Sequence, residues 1–100
     1  MNRQDIENEI QEKQLNAPRL TPDLIDSVIV DKMFHVFPNT GMTVCCLVLK
    51  NGYNVIGESC PASIENFNKE LGEKISFESA KNKIWQLEGY LLRQRLYDSK

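Results

Sequence analysis

The chain has 100 residues, a formal net charge of -2 and an acidic pI near 5.4. That balance argues against a dedicated nucleic-acid binder, whose affinity depends on a basic surplus or stripe. No run is apolar for the ~20 residues that span a bilayer, and Met1–Glu12 is too polar and acidic for a signal peptide. The three cysteines, Cys45, Cys46 and Cys60, form no CxxC pair and are joined by one histidine, His35. They read as free thiols in a reducing compartment, with no metal site and no cofactor expected.

Asp5–Gln14 carries Ile6 and Ile10 one turn apart and predicts a weak amphipathic helix. Leu15–Leu20 reads as a linker, so residues 1–20 form an N-terminal arm and residues 21–97 a single domain. Thr21-Pro22 predicts a helix start, with Thr21 as cap and Pro22 at the first helical position. Leu24, Ile25, Val28 and Ile29 give that short helix one apolar stripe. In Val30–Phe37, Phe34 and Val36 alternate with Met33, His35 and Phe37, the pattern of a strand. Thr43–Leu49 is apolar on both faces and predicts a central strand covered on both sides. Asn51-Gly52 predicts a two-residue type I′ hairpin, which sets Val48 against Val55, Cys46 against Gly57 and Cys45 against Glu58. Ser63 is expected to cap a helix bearing Ile64, Phe67 and Leu71, interrupted or kinked at Gly72. Ile75, Ala80, Ile84, Leu87 and Leu91 then recur at helical spacing. A helix from Glu73 to Tyr97 is ~37 Å long at 1.5 Å per residue, longer than a compact 100-residue domain is wide. Part of it therefore projects, and a homodimer through this helix is expected. The fold class is α+β: a short antiparallel sheet of about three strands with a β-hairpin, packed by a short N-terminal helix and a long C-terminal helix.

The motifs of common chemistries are missing. The glycines form neither GxGxxG nor GxxxxGK[ST], and no GxSxG elbow occurs. His35 with Cys45 or Cys46 is conceivable as a nucleophile pair but lacks an acidic orienter. Glu58 with Glu88 or Glu70 is a possible carboxylate pair, against the simpler expectation that Glu58 pairs with Lys74 or Lys83. The stretch Lys83-Ile84-Trp85-Gln86-Leu87-Glu88-Gly89-Tyr90 holds an aromatic, a carboxylate and a bare glycine at helical spacing. The candidate binding residues are accordingly Glu58, Lys83, Trp85, Glu88, Gly89, Tyr90 and Arg93, with none assigned to catalysis or metal.

Thr43-Val44-Cys45, Leu49-Lys50-Asn51-Gly52, Gly57-Glu58-Ser59 and above all Lys83-Ile84-Trp85-Gln86-Leu87-Glu88-Gly89-Tyr90-Leu91-Leu92 resemble a family of small accessory proteins of tailed bacteriophages and prophages. The resemblance covers about Thr21 to Leu96. It implies a non-enzymatic protein made in the host bacterial cytoplasm that binds a host protein, for host takeover or against a defence system. The alternative expectation is a small-ligand binder that holds a nucleotide-like molecule in a dimer pocket, with Trp85 or Tyr90 stacking and Arg93 or Lys83 supplying charge.

Overall fold

The computed structural model describes residues 3–12 and 18–100. Thr21 caps a helix as its sequence predicts. Its hydroxyl accepts from the Leu24 amide at 3.1 Å, and Pro22 opens helix α2, Pro22–Ser27. Before it lies α1, Arg3–Glu12; Lys13 and Gln14 of the expected helix fall outside the described residues. Three strands follow: β1 Ile29–Val36, β2 Thr43–Leu49 and β3 Asn54–Ser59, in one antiparallel sheet ordered β1-β2-β3. A single 3₁₀ turn, Ile64–Asn66, leads to α3, Lys69–Asp98. The α+β class and the central place of Thr43–Leu49 are those expected from sequence.

The hairpin differs from expectation by one residue. Only Gly52 has positive φ, at 87°, and Asn51 does not. The Gly52 amide donates to the Leu49 carbonyl at 2.8 Å, and the Leu49 amide donates to the Tyr53 carbonyl at 2.9 Å. This is a three-residue loop, Lys50-Asn51-Gly52, in which a turn is followed by one left-handed residue. It sets Leu47 against Val55, Cys45 against Gly57 and Val44 against Glu58. A slip of one residue exchanges the two faces of β3. Val55 and Gly57 therefore face α3 with Cys45, Leu47 and Leu49, while Ile56 and Glu58 face away.

Burial along β2 alternates between buried and half-buried positions. The strand is thus closed on the α3 side alone, not on both sides as its apolar composition suggests. The core is one layer between sheet and helix: Ile25, Cys45, Leu47, Leu49, Val55, Ala80 and Ile84, with Phe34, Phe77 and Trp85 packed against it. Burial pushes the Cys45 thiol above the ordinary range, with the neighbouring Cys46 adding to it.

The segment after β3 also departs from expectation. Ser63 caps no helix; its hydroxyl bonds Glu65 instead, and Asn68 caps α3 by accepting from the Leu71 amide at 2.9 Å. Gly72 does not break the helix, which runs unbroken from Lys69 to Asp98. It is buried on the Thr43 side chain, and a Cβ there would stand 2.7 Å from Thr43 Oγ1. One helical face thus carries Gly72, Ser76, Ala80 and Ile84, all buried. At 1.5 Å per residue, 30 residues make α3 ~45 Å long, against ~24 Å for a seven-residue strand. The molecule is accordingly 53 Å long and 19 Å thin, and the expected projection is present.

The closest approach is at Gly57. A Cβ there would overlap the Ser76 carbonyl and Ala80 amide and lie 2.8 Å from Ala80 Cα. These are helix backbone atoms, which cannot step aside as a flexible side chain can. Gly57→Ala is therefore expected to destabilise by about 3 kcal/mol or more through overpacking. Thermal unfolding should record a fall in Tm of at least ~12 °C, or no cooperative transition at all.

Candidate interaction surfaces

The pleat and the pairing register define what each face of the sheet presents. On the face away from α3 lie Asp31, Met33 and His35 of β1, Val44, Cys46 and Val48 of β2, and Asn54, Ile56 and Glu58 of β3. Phe37 extends this surface, stacking edge-on against His35 at 4.8 Å between ring centroids. Met33, Phe37 and Ile56 are each about half exposed. No element among the described residues covers them. A contiguous apolar patch rimmed by polar groups is the usual mark of a contact site. The charged side chains on the strands of this face are Asp31 and Glu58, both acidic; Lys32 turns the other way, over the Phe77 ring of α3.

A second apolar surface sits where α3 outruns the sheet. Leu49 and Tyr53 at the hairpin meet Leu87, Glu88, Tyr90 and Leu91 in a groove of about 340 Å³. Tyr53 is 56% exposed and Tyr90 72%.

The candidate residues of the KIWQLEGY stretch do not form one site. Trp85 and Gly89 turn toward the N-terminal arm: Arg3 lies over the Trp85 ring at 4.2 Å, and Leu20 Cδ1 is 3.8 Å from where a Gly89 Cβ would stand. That separation is ordinary van der Waals contact, so Gly89 makes no tight contact among the described residues. Glu88 and Tyr90 belong to the hairpin groove instead. Glu88 is held weakly by Arg95 at 3.8 Å. Lys83 and Arg93 are exposed and make no ion pair among the described residues.

Glu58 lies apart from all of these. Its amide donates to Ser79 Oγ at 3.4 Å, and Glu88 is nine residues further along α3, ~14 Å by helical rise. The expected pairing of Cys45 with Glu58 fails with the hairpin register, which sets Glu58 against Val44 on the open face. No ion pair joins it to Lys74 or Lys83 among the described residues; Lys74 instead meets Glu70 at 3.5 Å. Glu58 and Glu88 are thus not brought together. His35 and Cys45 are on opposite faces of the sheet. Cys46 shares the open face with His35, one pairing step away and without a hydrogen bond to it among the described residues. No group of three His, Cys, Asp or Glu among the described residues is close enough to hold a metal ion.

Three features were not visible in the sequence: the open-face set of Met33, Phe37 and Ile56, the groove tyrosine Tyr53, and the latch of the arm. That latch is a bidentate pair in which the Arg19 guanidinium donates to the Glu7 carboxylate at 2.5 and 2.8 Å, with Gln11 adding a third bond at 2.9 Å. Only correct strand pairing finds the first two. The opposite charges of Glu7 and Arg19 were the sole local signal for the third.

The model of a phage protein family, described as N4 Gp49/phage Sf6 gene 66, matches residues 20–96. The chain belongs to this family. The match spans every element from α2 through most of α3 and leaves α1 outside, and it agrees with the expected phage family. A search of curated proteins finds no match, and neither does a search of solved structures. No helix among the described residues is long and apolar enough to cross a membrane.

The arm carries an ion pair with a definite pH signature. The Arg19 hydrogen bonds, then that from Gln11, hold the Glu7 carboxyl below its usual range. A lowered folded pKa means the contact is complete above the ordinary glutamate value and is lost as pH falls through Glu7's own lower value. The only tryptophan reports on it, because Arg3 of the same arm lies on its ring. Trp85 emission is expected to be constant down to about pH 4.5 and to shift in an acid transition below that. Glu7→Gln should give the shifted emission already at neutral pH.

Proposed function

We propose that this protein is a non-enzymatic phage accessory protein that acts in the host bacterial cytoplasm by binding a host protein through the open face of its sheet. The observation that carries the reading is the one-sided core: α3 closes one face, and Met33, Phe37, Cys46 and Ile56 remain on the other. An apolar centre with a polar rim suits a protein partner, since burying the centre supplies affinity while the rim sets orientation. Membership of a phage protein family supports a target in the infected cell.

Charge narrows the partner further. Asp31 and Glu58 favour a surface whose apolar centre is flanked by lysine or arginine. They disfavour nucleic acid, whose phosphates they would repel, and a second copy of the same acidic face. Blocking a host defence component and redirecting a host enzyme are both consistent with such stoichiometric binding. The alternative, a pocket for a nucleotide-like ligand, is disfavoured because its residues are divided: the Trp85 ring is occupied by Arg3, while Tyr90 faces the hairpin.

The test is site-specific photo-crosslinking during infection, with the crosslinker placed at Met33, at Ile56 or, as a control, at Lys83. One host protein should crosslink from positions 33 and 56 and not from 83. Ile56→Asp should weaken that complex at least tenfold while leaving far-ultraviolet circular dichroism unchanged. Crosslinks confined to position 83, or a complex indifferent to Ile56→Asp, would refute the open-face reading.

A further inference from the structure

The apolar stripe of α3 does not stop where the sheet stops. Phe77, Ala80 and Ile84 meet the sheet, and the same alternating three- and four-residue spacing continues through Leu87 and Leu91, past the hairpin. This is the spacing of a helix–helix seam. Leu87 and Leu91 stay 39% and 47% exposed beside Leu49 and Tyr53, and the seam ends there, since the polar Gln94 and Asp98 take the next positions.

We propose that a second copy of this chain fills it. Two α3 helices pack antiparallel about a two-fold axis near Leu91 and Leu92, each projecting end lying along the groove beside the other's Tyr53. Two observations select a second copy over an unrelated partner. The first is charge. Glu88 and Arg95 are seven residues apart, two turns, and flank Leu91 on the same side of α3. A two-fold axis perpendicular to an antiparallel helix pair keeps each residue on its own side and reverses its height. It therefore brings Glu88 opposite the partner's Arg95 and, by symmetry, Arg95 opposite the partner's Glu88. Within one chain the same two residues meet only at 3.8 Å, and Arg95 is two-thirds exposed. The surface is self-complementary, as an isologous interface requires.

The second observation is area. The exposed fractions of Tyr53, Leu87, Tyr90, Leu91 and Tyr97 amount to roughly 540 Å² per copy, at ~200 Å² for a tyrosine side chain and less for leucine. With the flanking polar atoms this approaches the ~800 Å² per partner of a standard interface. The interface uses the hairpin end and the projecting part of α3, not the open sheet face. It therefore stands or falls independently of host-protein binding.

Sedimentation velocity on the full chain tests it. The wild-type chain should sediment with the mass of two chains at micromolar concentration, and Leu91→Glu with the mass of one. Glu88→Arg and Arg95→Glu, each alone, should weaken self-association about tenfold, because each sets like charges against each other twice. An equal mixture of these two variants should recover wild-type affinity. In the mixed pair every contact between chains joins opposite charges, while the contacts within each chain remain like-charged. Recovery thus reports the interchain pairing alone. A single-chain mass for the wild type throughout the micromolar range, or a mixture no tighter than either variant, would overturn the proposal.

Discussion

The close seating of α3 on β3 at Gly57 governs the rest of this molecule. Without a side chain at position 57, the helix backbone at Ser76 and Ala80 rests directly on the sheet. Gly72 makes a similar approach over Thr43 one turn earlier. Contacts at this range gain dispersion energy along the whole line, although the residues that make them bury little apolar area. The small core is closed by α3 together with Ile25 of α2, and Ile84, Leu47 and Leu49 complete the layer that the small residues begin. The fit has a strict tolerance, since the atoms beneath a new Cβ are backbone.

One-sided closure has two consequences. The long helix α3, with Ile25 of α2, covers one face of a three-stranded sheet and leaves the other to solvent or to a partner. That helix is also about twice as long as the strands it covers, so its apolar seam runs out beyond them. Both uncovered surfaces follow from one packing choice, and they differ in charge. The open sheet face carries only acidic groups, whereas the projecting helix pairs Glu88 with Arg95. A face of one sign suits a partner of the other sign, and a face holding both in symmetric positions suits a copy of itself. The arm, which lies outside the family match, adds a third contact by placing Arg3 on Trp85 and locking Glu7 to Arg19.

Much of the fold was legible because local rules agreed with it. Thr21-Pro22 starts a helix for reasons contained in those two residues. The alternation in β1 places Phe34 inward and Met33, His35 and Phe37 outward, as observed. The hairpin was misread because Asn-Gly serves both two- and three-residue loops, and the choice between them is made elsewhere. With the two-residue register, Ile56 and Glu58 would lie beneath α3, burying a carboxylate under a helix. The three-residue register puts Val55 and Gly57 there instead, and Gly57 is what lets the helix approach. Tertiary packing thus selects the turn, and the open face inherits Ile56 and Glu58 from that selection. The Trp85 contact was not legible for a related reason: the residue over its ring is Arg3, some eighty positions away, and no periodicity announces such a contact. Gly72 looked like an interruption because a helical glycine is unfavourable on its own, whereas its packing on Thr43 gives it a purpose.

Adjacent cysteines on β2 provide a direct reading of the one-sided core. Cys45 is fully buried beneath α3, and Cys46 lies on the open face. Brief labelling of the native protein with a small thiol reagent, followed by peptide mass spectrometry, should modify Cys46 together with the exposed Cys60 and leave Cys45 unmodified until the protein unfolds. Modification of Cys45 as fast as Cys46 under native conditions would contradict the account, because the helix would then not be closing that face.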